Sequence, residues 1–155
     1  MRKILFTTVA ALGASLAIAA PAQANEGRVE ARGGVVWGYG DSQAVAGVAA
    51  GYDWDLGSSA FVGAEVSADK ILESGTKVQF GANARLGITA GEATKIYATG
   101  GISTKPASGL DEAWNAGAGV QQNLGGKVYI KAEYRHYWVS GGDFDAVVGG
   151  VGLNF

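Results

Sequence analysis

Between Val78 and Ile88 apolar and polar residues alternate without a break. Val78, Phe80, Ala82, Ala84, Leu86 and Ile88 fall on one parity, and Gln79, Gly81, Asn83, Arg85 and Gly87 on the other. A helix would scatter both sets around its circumference. A strand, whose side chains point to opposite faces in turn, separates them completely.

The same period recurs along the chain. Val29, Ala31, Gly33, Val35 and Trp37 oppose Arg28, Glu30, Arg32 and Gly34. Ala46, Val48, Ala50, Tyr52 and Trp54 follow, then Val62, Ala64 and Val66. Ile96, Ala98, Gly100 and Ile102 oppose Lys95, Tyr97, Thr99 and Gly101; Trp114, Ala116, Ala118 and Val120 oppose Asn115, Gly117, Gly119 and Gln121. Val128, Ile130, Ala132 and Tyr134 oppose Tyr129, Lys131, Glu133 and Arg135. Val147, Val151, Leu153 and Phe155 complete the series, opposite Val148, Gly150, Gly152 and Asn154. About eight strands result, an even number suited to a closed antiparallel barrel. Asp55–Ser59, Ala90–Thr94 and Leu124–Gly126 read as tight turns at one end. Asp69–Lys77, Ser103–Glu112 and Val139–Asp143 read as longer loops at the other, where Gly38–Gln43 is a short exception.

The first 24 residues are set apart. Arg2 and Lys3 precede an apolar run from Ile4 to Ala20, and Pro21-Ala22-Gln23-Ala24 supplies a small-x-small cleavage site. Residues 1–24 are therefore expected to be a signal peptide, and residues 25–155 a single domain. Removing Arg2 and Lys3 leaves ten basic residues against fourteen acidic, a net charge of −4. That charge offers nothing to nucleic acid. No segment after residue 24 approaches the ~20 apolar residues of a membrane helix, so any membrane crossing must be made by strands.

Alternation leaves open whether the apolar face meets lipid or a soluble core. The polar face mixes large ionisable residues with many glycines, which weaken a solvated strand but fit a crowded lumen. Aromatic residues gather at the ends of the apolar stripes. Trp37, Tyr39, Trp114, Tyr134 and Trp138 lie toward the longer loops, and Tyr52, Trp54 and Phe155 toward the turns. Two such girdles mark two membrane interfaces. The expected fold is all-β: an eight-stranded antiparallel up-and-down transmembrane β-barrel, with both ends of the processed chain in the periplasm.

Gly51-Tyr52-Asp53-Trp54-Asp55, Lys131-Ala132-Glu133-Tyr134-Arg135 and the ending Gly152-Leu153-Asn154-Phe155 complete a pattern that resembles the small outer-membrane β-barrel proteins of the OmpA-like and opacity-protein type. The resemblance covers essentially all of the chain after the signal peptide. It implies a bacterial outer-membrane location, contact with lipid and lipopolysaccharide, and insertion by the barrel-assembly machinery. Val151, Leu153 and Phe155 match that family's terminal assembly signal. A closed barrel has no free edge, so a monomer is expected.

The inward set comprises Arg28, Glu30, Arg32, Asp53, Glu65, Arg85, Lys95, Lys131, Glu133 and Arg135. Isolated buried charges are costly, so these are expected to pair across the lumen. A salt-bridged plug is the first reading and a narrow path for ions or small solutes the second. An eight-stranded barrel is just wide enough for side chains to fill.

Chemistry beyond this is thin. His136, the one histidine, is expected on the lipid side near a girdle. Lipid A deacylases pair His-x-Ser with an acid on the outer wall, but here the sequence reads His136-Tyr137-Trp138, with Ser140 two positions further on. A nucleophile and its base must be within hydrogen-bond reach. With no cysteine and a single histidine, no metal or cofactor site is expected. The paired glycines Gly33-Gly34, Gly100-Gly101 and Gly149-Gly150 open no helix and carry no phosphate-loop Lys-Ser/Thr. The sequence thus points to a non-enzymatic barrel with a structural or surface-interaction role.

Overall fold

The computed structural model describes residues 25–38, 40–104 and 112–155. The signal-peptide segment, Tyr39 and most of the loop before Glu112 lie outside the described residues. Eight strands follow in order: β1 (Glu26–Gly38), β2 (Asp41–Leu56), β3 (Ala60–Ile71), β4 (Gln79–Ala90), β5 (Thr94–Ser103), β6 (Ala113–Gly125), β7 (Val128–Trp138) and β8 (Phe144–Asn154). Each pairs antiparallel with its chain neighbours, and β8 returns to pair with β1, closing the barrel. Closure leaves no row of unpaired backbone groups, which lipid could not satisfy.

The alternation places strands well and their ends less well. β2 begins at Asp41 because its ladder with β1 runs on to Gly38↔Asp41, reducing the expected connector to residues 39 and 40. Val78, expected as a strand residue, lies just before β4. The turns joining β2 to β3 and β4 to β5 use Gly57 and Gly91 at φ of 82° and 70°, a conformation that other residues resist.

The register fixes the barrel's dimensions. Following paired residues from Gly27 through Tyr52, Ala64, Ala84, Gly100, Ala116, His136 and Asp145 leads back to β1 at Trp37, ten residues beyond the start. With ~3.3 Å rise per residue and ~4.8 Å between strands, that stagger tilts the strands by about 41°. The tilt lies within the range of membrane-spanning barrels.

Burial is inverted relative to a soluble protein. Phe80 and Leu86 are each 59% exposed on the outer wall, whereas Arg28 and Asp53, pointing inward, are 1% and 0% exposed. The inner face is not polar throughout, because Val45 and Ala49 of β2 and Ala146 and Val148 of β8 also point inward and are buried.

Inward glycines make room for large neighbours. The Arg28 guanidinium lies across Gly51, the Tyr97 hydroxyl against Gly119 and the Tyr129 ring against Gly152. A Cβ on Gly152 would stand 2.5 Å from that ring. On the outer wall Gly33 and Gly149 pair across β1 and β8, and a Cβ on either would meet nothing nearer than 3.5 Å. At the turn end Phe155 closes the seam: its backbone exchanges two 2.9 Å hydrogen bonds with Gly27, and its ring covers that glycine.

Gly152→Val is therefore expected to impair folding, whereas Gly149→Val is expected to leave it intact. The check is the shift in gel mobility between unboiled and boiled samples, which Gly152→Val should reduce and Gly149→Val should retain.

Candidate functional site: a charge-filled lumen

The inward parity of six strands delivers every charged residue of the lumen set to one place. All ten are buried. Glu65, near the middle of β3, lies at the centre. Its carboxylate is 3.0 Å from Arg28, 3.1 Å from Arg32, 3.3 Å from Lys131 and 2.8 Å from Arg135. Asp53 gathers three cations nearer the turn end: Arg85 at 2.9 Å, Lys95 at 3.1 Å and Arg28 at 3.4 Å. Arg28 thus bridges the two centres.

The other acids complete the network. Glu30 lies 2.6 Å from Lys131 and accepts a 2.7 Å hydrogen bond from the Tyr129 hydroxyl. Glu133 pairs with Arg135 and accepts from the Tyr97 hydroxyl at 2.7 Å. Arg32 also engages both carboxylate oxygens of Asp69, and Lys95 reaches Glu26 at 2.9 Å. Six cations thus face six carboxylates, counting Glu26 and Asp69.

Glu26, Asp69, Tyr97, Tyr129 and Gln121 were not singled out as members of this network from sequence. The signal for them was their parity: Asp69 follows Glu65 by four residues, and Tyr97 and Tyr129 stand two positions from Lys95 and Lys131. Phe61 is an apolar member of the inward set. The Arg85 guanidinium stacks over Tyr97 at 4.2 Å and over Phe61 at 5.1 Å, while the Lys95 ammonium lies 5.0 Å from the Phe61 ring centre. Such contacts partly replace water around a buried cation.

The largest fully buried side chains are Arg28, Arg85, Tyr129, Phe61, Gln121 and Asp53. All lie within five residues of the turn-end limit of their strands. Gln121 joins the group by accepting a 3.0 Å hydrogen bond from Arg85. Together they form a septum across the turn end of the lumen.

On the outer wall, Trp37, Trp114, Tyr134 and Trp138 are exposed toward the loop end. Tyr52 and Trp54 pack together at 5.1 Å toward the turn end. Val151, Leu153 and Phe155 lie exposed on one stripe of β8 and its terminus. His136 is more than an isolated interfacial ring. Its Nδ1 lies 2.8 Å from Asp145, which also accepts a 2.6 Å hydrogen bond from the Tyr134 hydroxyl, and its ring packs edge-on against Trp138 at 4.7 Å. Among the described residues no group of three or more His, Cys, Asp or Glu side chains is placed to hold a metal ion.

A family model, the outer membrane protein beta-barrel domain, matches residues 8–155. Among solved structures the chain is similar to the N-terminal β-barrel domain of Pseudomonas aeruginosa OprF, with 16% identity, 84% of this chain and 97% of that one covered, and a TM-score of 0.62. It is also similar to Ail, the attachment invasion locus protein of Yersinia pestis, at 16% identity, with 84% and 97% covered and a TM-score of 0.55. The outer membrane enzyme PagL matches at 16% identity, with 81% and 98% covered and a TM-score of 0.54. No curated protein sequence matches the chain.

Removing one partner of a buried ion pair leaves the other charge uncompensated, at a cost of about 3–5 kcal/mol. Glu65→Gln is expected to lower stability by that amount or more, because four cations lose their shared carboxylate. Asp69→Asn, at the partly exposed edge of the network, is expected to cost less. Urea unfolding of the two variants against the parent protein gives the ranking.

Proposed function

Since this chain belongs to the outer membrane protein β-barrel family, we propose that it serves the bacterial outer membrane as a closed, non-enzymatic barrel that stabilises the envelope and displays its longer loops at the surface. The observation that carries this reading is the septum of six fully buried side chains across one end of the lumen. A continuous solute path cannot pass side chains packed in this way without their rearrangement. In this reading both termini and the short turns face the periplasm, and the terminal stripe of Val151, Leu153 and Phe155 engages the assembly machinery. The girdles contact phospholipid and lipopolysaccharide, and the barrel works as a monomer.

A narrow channel is the second reading. Its support is the polarity of the lumen, which contains charged side chains along much of its depth. Passage would require the Asp53 centre to separate from Arg28 and Arg85. Planar-bilayer recording distinguishes the two. The closed barrel should give no reproducible conductance steps, and discrete openings by the folded parent protein would overturn it. Phe61→Ala with Arg85→Ala should thin the septum and produce openings that the parent protein lacks.

A lipid-modifying enzyme is the remaining class. The hydrogen-bonded His136 and Asp145 on the outer wall are its specific support. Against it, Trp138 stands two residues after His136, where a His-x-Ser pair would place its nucleophile. Incubating the folded protein with lipopolysaccharide should leave every acyl chain in place by mass spectrometry. Loss of a chain would overturn the non-enzymatic assignment.

A further inference from the structure

The loop-end wall of β6, β7, β8 and β1 carries one continuous outward patch. Register sets Trp114 beside Trp138, His136 beside Asp145, and Asp145 beside Trp37. His136 stands between two carboxylates, with Nδ1 2.8 Å from Asp145 and Nε2 3.7 Å from Asp143. Oδ1 of Asp145 takes both the His136 and the Tyr134 contacts, and a carboxylate has about four acceptor positions. Asp143, with a half-exposed side chain, stands just outside it. No outward cation balances the two acids on these strands. β6 and β8 contain no Lys or Arg, and Arg28, Arg32, Lys131 and Arg135 of β1 and β7 are buried in the lumen. At the loop-end girdle this sector is therefore aromatic and acidic.

The same outward stripe of β8 leads from Asp145 past Val147 to Gly149. Four residues of strand span about 13 Å. There Gly149 pairs with Gly33 of β1 and with Ala132 of β7, and Gly33 pairs with Ala46 of β2, so four adjoining strands present small residues. Ala31, Gly33, Gly149 and Val151 line an open depression at this point, and a Cβ on Gly149 would meet nothing nearer than 3.7 Å. A concave apolar surface gives an acyl chain more dispersion contacts than a flat wall does. One strand face thus joins an anionic, aromatic head region to a small-residue depression below it.

We propose that this face of the barrel seats one membrane lipid whose head ends in an ammonium group. The ammonium pairs with Asp143 and Asp145 beside Trp138 and Trp37, and the acyl chain runs down β8 into the depression at Gly33 and Gly149. Charge complementarity selects the head: two carboxylates attract a cation, and indole rings add a cation–π contribution that a neutral head cannot obtain. A head ending in hydroxyls gains neither. The seat rests on the outer wall facing lipid and is independent of whether the lumen is closed.

The test uses the folded full-length barrel, after removal of any leader, in dodecyl maltoside micelles. Lysophosphatidylethanolamine and, separately, lysophosphatidylglycerol of the same chain length are titrated at constant total surfactant. Both carry the phosphate, and only the first ends in an ammonium. NMR follows the Trp37 and Trp138 indole N–H groups at the head and the Gly149 backbone N–H at the tail. The ethanolamine lipid should shift all three saturably with one shared dissociation constant, about tenfold tighter than the glycerol lipid. Gly149→Val should weaken binding of the ethanolamine lipid about tenfold, the loss of roughly two buried methylenes, while gel mobility before and after boiling shows that the variant folds. Asp143→Asn with Asp145→Asn should abolish the preference between the two lipids; where that pair of changes prevents folding, Asp143→Asn alone should reduce it. Equal affinity for the two lipids would overturn the seat and leave the lipid-facing wall intact. Linear shifts without saturation, or undiminished binding in folded Gly149→Val, would also overturn it. Shifts that follow protein concentration without added lipid would assign the face to a second copy instead and overturn it as well.

Discussion

Glu65 is ringed by Arg28, Arg32, Lys131 and Arg135, contributed by β1 and β7 to a carboxylate on β3. A barrel of eight strands with a stagger of ten has a narrow interior, and whatever points into it must fill it. Here the filling is largely ionic, so the charges must neutralise one another across the lumen. Glu65 and Asp53 each serve several cations because side chains arrive from all sides of a closed wall. An open sheet carrying the same residues would leave them solvated and weakly paired.

This filling accounts for part of the glycine content. Long side chains such as Arg28 and Tyr129 lie flat across the inner wall, and they can do so only where the neighbouring strand lacks a Cβ. Gly51, Gly119 and Gly152 therefore act as sockets for Arg28, Tyr97 and Tyr129. They are a packing requirement of the network, although glycine weakens a strand locally. On the outer wall the Phe155 ring covers Gly27, whereas the paired Gly33 and Gly149 leave a shallow dent with room for a side chain.

The same division of labour separates location from activity. The apolar outer wall and its aromatic ends suit lipid contact, a property common to membrane barrels. Individual character lies in the lumen: a septum around Asp53 toward the turn end and a ring of cations about Glu65 beyond it. On the outer wall His136, Asp145 and Tyr134 form a small polar cluster amid the loop-end girdle. Their mutual hydrogen bonds lower the cost of holding polar groups at a lipid boundary.

Parity along the chain was enough to determine the strands, their number and the inward or outward direction of nearly every side chain, because a strand's side-chain period is an intrinsic property of its backbone. It placed Arg28, Glu65 and Arg135 on one face, and Trp37 and Trp54 on the other. Only the closed tertiary structure decided which inward charges meet. Arg28 and Glu65 are 37 residues apart in the chain and Glu65 and Arg135 are 70 apart, and their contact depends on stagger and tilt. Tyr97, Tyr129 and Glu26 joined the network for the same reason. Alternation is local and one-dimensional, whereas pairing across a lumen depends on the geometry of the whole ring.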